Sequence, residues 1–126
     1  MEYEKVSDEL TEIFPDFVYM DISEGLQHCI AGEFAFYLLE AYKNNNIPIL
    51  IKAGNFIENL YSYNDEKMEN LATIGYLEGI QNVWSNRKVN PDGMLEYLGE
   101  KSKEGWVYLN RSWNGCDTCT QWFSKL

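Results

Sequence analysis

Apolar residues recur at spacings of three and four over most of the chain, which is the pattern of amphipathic α-helices. The first such stretch covers residues 2–14 and stops before Pro15, so we predict a short helix there. Residues 16–22 follow as a connector with the apolar centre Phe17-Val18-Tyr19-Met20. This connector could be extended, but the sequence offers it no partner strand.

Ser23 is a favourable N-cap, and we predict a long second helix over residues 23–43. Leu26, Ile30 and Phe34 begin its apolar stripe. Further apolar residues, including Phe36, widen that stripe until the helix is apolar nearly all round. Such a helix is typical of the centre of a bundle.

Pro48 suits the first position of a third helix, which should end near residue 63. Asn64 is then expected to cap a fourth helix that reaches about residue 84. Small residues inside these two helices predict close approaches between helix axes. They are Gly54, Ala72, Gly75 and Gly79.

Asn90 followed by Pro91 predicts the start of a short fifth helix, and a last helix should begin at about Ser102. Residues 116–126 show no periodicity and are interpreted as a loosely attached tail. We therefore predict a single all-α domain over residues 1–126, a compact bundle or short stack of about five to six helices.

The composition is ordinary except for its charge and its aromatic content of 15%. The net charge of −10 argues against direct binding to nucleic acid or to an anionic membrane. Residues 1–12 are acidic and lack an apolar stretch, so no secretory signal is expected. The three cysteines fit a reduced compartment, and we predict a cytoplasmic protein.

Cys116 and Cys119 form a Cys-x-x-Cys pair, which as a zinc site would need two more ligands. His28 and Cys29 are the only other thiol and imidazole groups, and adjacent residues on a helix point roughly 100° apart. A thioredoxin-like role would need a βαβ setting, which the pattern lacks. We predict no metal, no cofactor and no catalytic residue.

His28 is the sole histidine, and a hydrogen-bonded, partly buried role suits it better than general-base catalysis. Five glutamates could in principle form carboxylate pairs between helices, but one histidine cannot complete a di-metal site. Solvated helix faces are the simpler interpretation of these residues, which are Glu33, Glu40, Glu58, Glu69 and Glu78.

The acidic excess is concentrated in residues 1–24, which hold eight acids and one base, with a smaller share on the fourth helix. Solubility alone could explain this distribution. The alternative is a docking face for a basic protein, with interleaved aromatic residues as anchors. The candidate contact residues are Glu9, Glu12, Asp16, Tyr19, Asp21, Asp65, Glu66 and Glu69.

Three segments carry a resemblance to a known family: FIENL at residues 56–60, NLATIGYLEGIQN at 70–82, and a closing pattern between residues 98 and 113. Together they resemble a family of small, mostly uncharacterised helical bacterial proteins. Members of that family are similar to the immunity proteins of contact-delivered polymorphic toxins. The resemblance implies a helical fold and an immunity role.

The preferred hypothesis is therefore an immunity-type protein that occludes the active site of a cognate toxin domain, which we expect to be basic and nuclease-like. The alternatives are a helical protein-interaction module without a toxin partner and, third, a small enzyme using His28 and nearby carboxylates.

Overall fold

Six α-helices and a π-helix lie within residues 1–114, the part of the chain that the computed structural model describes. The α-helices are α1 (Val6–Ile13), α2 (Gln27–Lys43), α3 (Ile47–Tyr61), α4 (Glu66–Asn70), α5 (Glu78–Asn86) and α6 (Glu100–Asn114). The π-helix, Leu71–Leu77, joins α4 to α5, and 3₁₀ turns occur at Tyr3–Lys5, Asp21–Ser23 and Pro91–Tyr97. No strand occurs among these residues, so the predicted all-α fold is confirmed. The predicted tail, with Cys116 and Cys119, lies outside the described residues.

The hydrophobic core is one cluster to which every helix contributes, with α2 at its centre. Ile30, Phe34 and Leu38 of α2 are fully buried, and α2 packs against the π-helix and α5. Trp84 of α5 is also fully buried, and its indole Nε1 donates a hydrogen bond of 3.1 Å to the carbonyl of Ala35. The buried indole N–H therefore has a hydrogen-bond partner within the core, across the contact between α2 and α5.

The predicted close approach of helices is confirmed at two of the three glycines. A Cβ added at Gly75 would lie 3.3 Å from the Cβ of Ala31, and one added at Gly79 would lie 3.6 Å from the Cα of Gly32. The π-helix and α5 thus cross α2 through small residues on both sides. Gly54 allows a different close contact, because its α-carbon lies against the backbone carbonyl of Tyr97, where a side chain would not fit.

The predicted start of the second helix at Ser23 is wrong. Ser23 lies in a 3₁₀ turn, Gly25 follows with a φ of +79°, and α2 begins only at Gln27. The hydroxyl of Ser23 donates to the carboxylate of Glu33 and is not used as a helix cap. Leu26 consequently stays outside the core, with 52% of its surface exposed.

The predicted cap at Asn64 is also wrong. Asn64 has a left-handed backbone with a φ of 52°, whereas Asp65 has the extended backbone that an N-cap requires. The Asp65 carboxylate accepts hydrogen bonds from the backbone N–H groups of Lys67 at 2.8 Å and Met68 at 3.4 Å. The predicted fourth helix ends at Asn86 and is divided by the π-helix.

Asn90 does cap the next segment, since its side-chain oxygen accepts the backbone N–H of Asp92, but that segment is a 3₁₀ helix. The last helix begins at Glu100, two residues before the predicted start. Among the described helices, none combines the length and apolarity needed to cross a bilayer.

Candidate functional site

The connector between α1 and α2 alternates between buried and exposed apolar side chains. Phe17 is 5% exposed and Tyr19 packs partly buried against the core. Val18, Met20 and Ile22 are in contrast 84%, 62% and 81% exposed. A connector that only spanned the gap between two helices would not need three large apolar side chains in water.

Side chains from the neighbouring elements hold the connector in place. Glu33 of α2 accepts the backbone N–H of Met20 at 2.9 Å as well as the Ser23 hydroxyl. The Phe17 ring packs 5.1 Å from that of Phe34 and 5.6 Å from that of Tyr37, measured between centroids. The interpretation of Glu33 as part of a solvated helix face is therefore wrong, because its carboxylate is hydrogen-bonded to the connector.

An open groove of about 480 Å³ runs between this connector and α2. Its apolar surface includes Val18, Met20 and the ring of Phe36, which is 45% exposed. Asp16 and Glu40 supply carboxylates at its margin. The remaining lining residues are Phe17, Glu33 and Tyr37.

The groove is electrostatically negative. Of the described residues that line it, none is Lys or Arg. Burial, together with the negative charge of Asp16, raises the pKa of the Tyr37 phenol. One cation does touch its edge from outside, since the Arg87 guanidinium carbon lies 5.2 Å from the centroid of the Phe36 ring.

The N-terminal candidate residues occupy different positions around this groove. Asp16 lines it, and Asp21 is exposed in the turn that ends the connector. Tyr19 lies on the inner side, where its hydroxyl donates to Glu24 at 3.0 Å, and this hydrogen bond raises the pKa of the phenol. Glu9 and Glu12 lie on α1, with Glu12 exposed and Glu9 partly buried.

The second acidic set lies elsewhere. Glu66 and Glu69 line an open depression of about 510 Å³ between α3, the π-helix and α6, where Lys101 is also present. Its wall includes Tyr61, whose hydroxyl lies 2.6 Å from that of Thr73. Asp65 is engaged as the cap of α4. This depression is less uniformly acidic than the groove, because Lys101 lies among its acidic residues.

His28 is held by hydrogen bonds at both ring nitrogens. The Tyr3 hydroxyl lies 3.2 Å from Nδ1, and the Asn70 side-chain oxygen lies 2.9 Å from Nε2. In a neutral ring, Tyr3 donates to Nδ1 and Nε2–H donates to Asn70. This arrangement agrees with the predicted hydrogen-bonded histidine. Within residues 1–114, no three or more His, Cys, Asp or Glu side chains are grouped so that they could hold a metal ion.

Sequence reasoning missed Glu33, Phe36 and Val18 as parts of one site. Residues 17–20 are all apolar, so their sequence does not show which of these side chains face the core and which face solvent. The pairing of Glu33 with the connector leaves no trace in the sequence either, since a helix-surface glutamate has the same local pattern whether it is solvated or bonded.

Comparisons with known proteins identify a family but no characterised relative. No curated protein and no solved structure matches the chain. A family model described as a domain of unknown function, DUF7674, matches residues 7–114, which include α1 except its first residue, the helices α2 to α6 and the groove. The chain therefore belongs to the DUF7674 family.

Proposed function

We propose that this protein is an immunity-type protein that binds a cognate bacterial toxin domain and occludes its active site. The observation that carries the proposal is the acidic groove with exposed apolar side chains, built on a connector fixed by Glu33. Apolar anchors surrounded by charge are the usual composition of a protein-binding surface. The family resemblance carried by residues 56–60, 70–82 and 98–113 implies the same role.

The mechanism is occlusion. A nuclease-like toxin presents basic residues where the phosphates of its substrate bind, and a protein with a net charge of −10 complements them. The excess negative charge accelerates the encounter, and the apolar contacts then slow dissociation. Neutralisation consumes no cofactor and uses no catalytic residue of this protein, and it takes place in the cytoplasm.

His28 supports this choice over a small enzyme. Both of its ring nitrogens are occupied by Tyr3 and Asn70, so neither is free to accept a substrate proton in this arrangement. The hydrogen bonds instead tie the chain before α1 to the end of α4, which is a structural role.

The proposal is tested by co-expressing the protein with a basic, toxin-like protein encoded beside its gene. We expect a co-purifying complex and restored growth of cells that the toxin alone arrests. A complex that forms without restoring growth would overturn the immunity role and favour the interaction module. Growth arrest that persists, with no complex, would overturn binding to that protein.

A further inference from the structure

We infer that the groove between the connector and α2 receives a basic segment of the partner protein, which places an apolar side chain on Val18, Met20 and Phe36 and sets arginine or lysine against Asp16 and Glu40. This inference rests on the proposed function only for the identity of the partner. The chemistry of the occupant follows from the groove itself.

Three exposed side chains form the apolar part of the groove. Val18 and Met20 project from the connector, and Phe36 projects from α2 on the other side of the groove. Large apolar side chains brought together from two elements form a contact surface that a single partner side chain can cover. Burial of that surface supplies the affinity.

Among residues 1–114, the charged side chains of the groove are all acidic. Asp16, Glu33 and Glu40 line the groove, and Glu33 is occupied by the Met20 N–H and the Ser23 hydroxyl. Asp16 and Glu40 are exposed and can accept hydrogen bonds from a partner. The Arg87 guanidinium already lies over the Phe36 ring from outside the groove, so the cations of the occupant belong at Asp16 and Glu40 and only its apolar side chain belongs at Phe36. An acidic or anionic occupant would instead be repelled, which excludes a nucleic-acid strand or an anionic membrane.

The groove is also organised before binding. Its connector wall is fixed by Glu33 and by the packing of Phe17 against Phe34, so Val18 and Met20 already point outward. A partner segment does not have to order this wall, which lowers the entropic cost of binding.

The test uses a synthetic amphipathic peptide of arginine and leucine, titrated into the ¹⁵N-labelled full chain. We expect amide shift changes concentrated in residues 16–22 and on the groove side of α2. A matched peptide with glutamate at every arginine position should leave these shifts unchanged. Shift changes centred on the depression at Glu66 and Glu69, or equal shifts with the acidic peptide, would overturn the inference.

Variants separate the apolar contribution to binding from the electrostatic one. Val18→Ala with Met20→Ala should weaken peptide binding about tenfold at any salt concentration. Asp16→Asn with Glu40→Gln should weaken it about tenfold at low salt and much less at high salt. The matched controls Ile51→Ala and Glu96→Gln alter an exposed apolar residue and an exposed acid outside the groove, and they should bind as the unchanged chain does. Equal weakening by the controls would contradict a groove-specific site.

The same variants keep this inference separate from the proposed function. If the groove binds the basic peptide but the adjacent-gene toxin is not neutralised, the inference about the groove is supported and the immunity role is contradicted. If both groove variants neutralise the toxin as well as the unchanged chain does, the immunity role stands and the groove is the wrong surface.

Discussion

The carboxylate of Glu58 binds the amino end of α6 through Ser102, a residue 44 positions later in the chain. One oxygen accepts the Ser102 backbone N–H at 2.9 Å and its hydroxyl at 2.8 Å, while the other accepts the Lys101 N–H at 3.1 Å. Glu58 thus caps a helix from a different helix. A Cβ added at Gly99 would lie 2.5 Å from the Glu58 side chain, so the absence of a side chain there gives the carboxylate room.

The first prediction concerns this cap. Burial alone would raise the pKa of Glu58, but hydrogen bonds from Ser102 and Lys101 outweigh it and hold the pKa below its ordinary value. Glu58→Gln should lower the stability by about 1 kcal/mol at neutral pH, because a charged acceptor at a helix N-terminus is lost. Thermal melting at pH 7 measures the difference.

The pH dependence follows from the direction of that shift. A carboxyl group with a lowered folded pKa stabilises the fold above its unfolded pKa, which is about 4.3, and loses that contribution as the pH falls through the folded value. The difference in stability between Glu58→Gln and the unchanged chain, the stability gap, should therefore disappear in acid. Glu96→Gln removes the same charge from an exposed acid and should show no gap at either pH. A gap that persists in acid would mean that shape and not charge sets the contribution of Glu58.

The second prediction concerns glycine positions. Gly54→Ala would place a Cβ inside the van der Waals radius of the Tyr97 carbonyl oxygen, a backbone atom that cannot rotate away. We expect a loss of about 1–3 kcal/mol from this overpacking. Gly32→Ala is the control, because nothing lies within 4 Å of its added Cβ and alanine favours a helix by about 0.5–1 kcal/mol. Chemical denaturation of both variants measures the two changes.

The stability changes caused by Gly75→Ala and Gly79→Ala should lie between those of Gly54→Ala and Gly32→Ala. At Gly75 the nearest atom to an added Cβ is the flexible end of Leu71 at 2.9 Å, while Gly79 has ordinary contacts from 3.6 Å outward. Gly75→Ala should therefore be mildly destabilising and Gly79→Ala close to neutral. A Gly79→Ala loss as large as that at Gly54 would contradict the packing described for α2 and α5.

The third prediction separates the cap of α4 from a docking role. Asp65→Ala should cost about 1 kcal/mol, whereas Asp65→Asn keeps an oxygen for the Lys67 and Met68 N–H groups and should be nearly neutral. Asn64→Gly provides the comparison at the neighbouring position that the sequence favoured, because glycine tolerates the left-handed backbone there, and it should be nearly neutral. Equal losses from Asp65→Ala and Asp65→Asn would show that the carboxylate charge, and not the hydrogen bonds, supports this helix.

The sequence predicted those features that depend on near neighbours. The central position of α2 follows from its apolar stripe, and the small residues Gly75 and Gly79 indicate its close crossing with α5. The start of α2 could not be read in this way, because Ser23 is a good cap by type but its hydroxyl binds Glu33 instead. Whether the Ser23 hydroxyl caps a helix or binds Glu33 is decided by tertiary structure.

Half of the candidate site could not be predicted either, because it too depends on tertiary contacts. Asp16 and Tyr19 were predicted from charge and aromatic content, whereas Phe36 was assigned to the core stripe and is 45% exposed. A helix that is apolar nearly all round does not show which side lacks a neighbour. The π-helix at Leu71–Leu77 has no sequence signal either, since its Glu78 N–H to Thr73 carbonyl bond differs from an α-helical bond by only one residue.

The last prediction distinguishes electrostatic attraction at a distance from direct contact. Three pairs of acids can each be reversed to lysine, and every pair raises the net charge of −10 by the same four units. The pairs are Glu9 with Glu12 on α1, Glu66 with Glu69 on α4, and Asp16 with Glu40 in the groove. Asp65 is left out because its reversal would remove the cap of α4.

At low salt, all three double variants should associate with the basic partner more slowly, by about tenfold, because steering depends on the total charge. Raising the ionic strength to physiological values, where the Debye length is about 8 Å, should remove most of that difference. Only the groove pair should also dissociate faster, and that effect should persist at high salt because these two carboxylates contact the partner. Association and dissociation rates from surface plasmon resonance supply both readings. Faster dissociation confined to the α1 or α4 pair would move the contact surface to that helix, and unchanged rates for all three pairs would leave solubility as the role of the acidic residues.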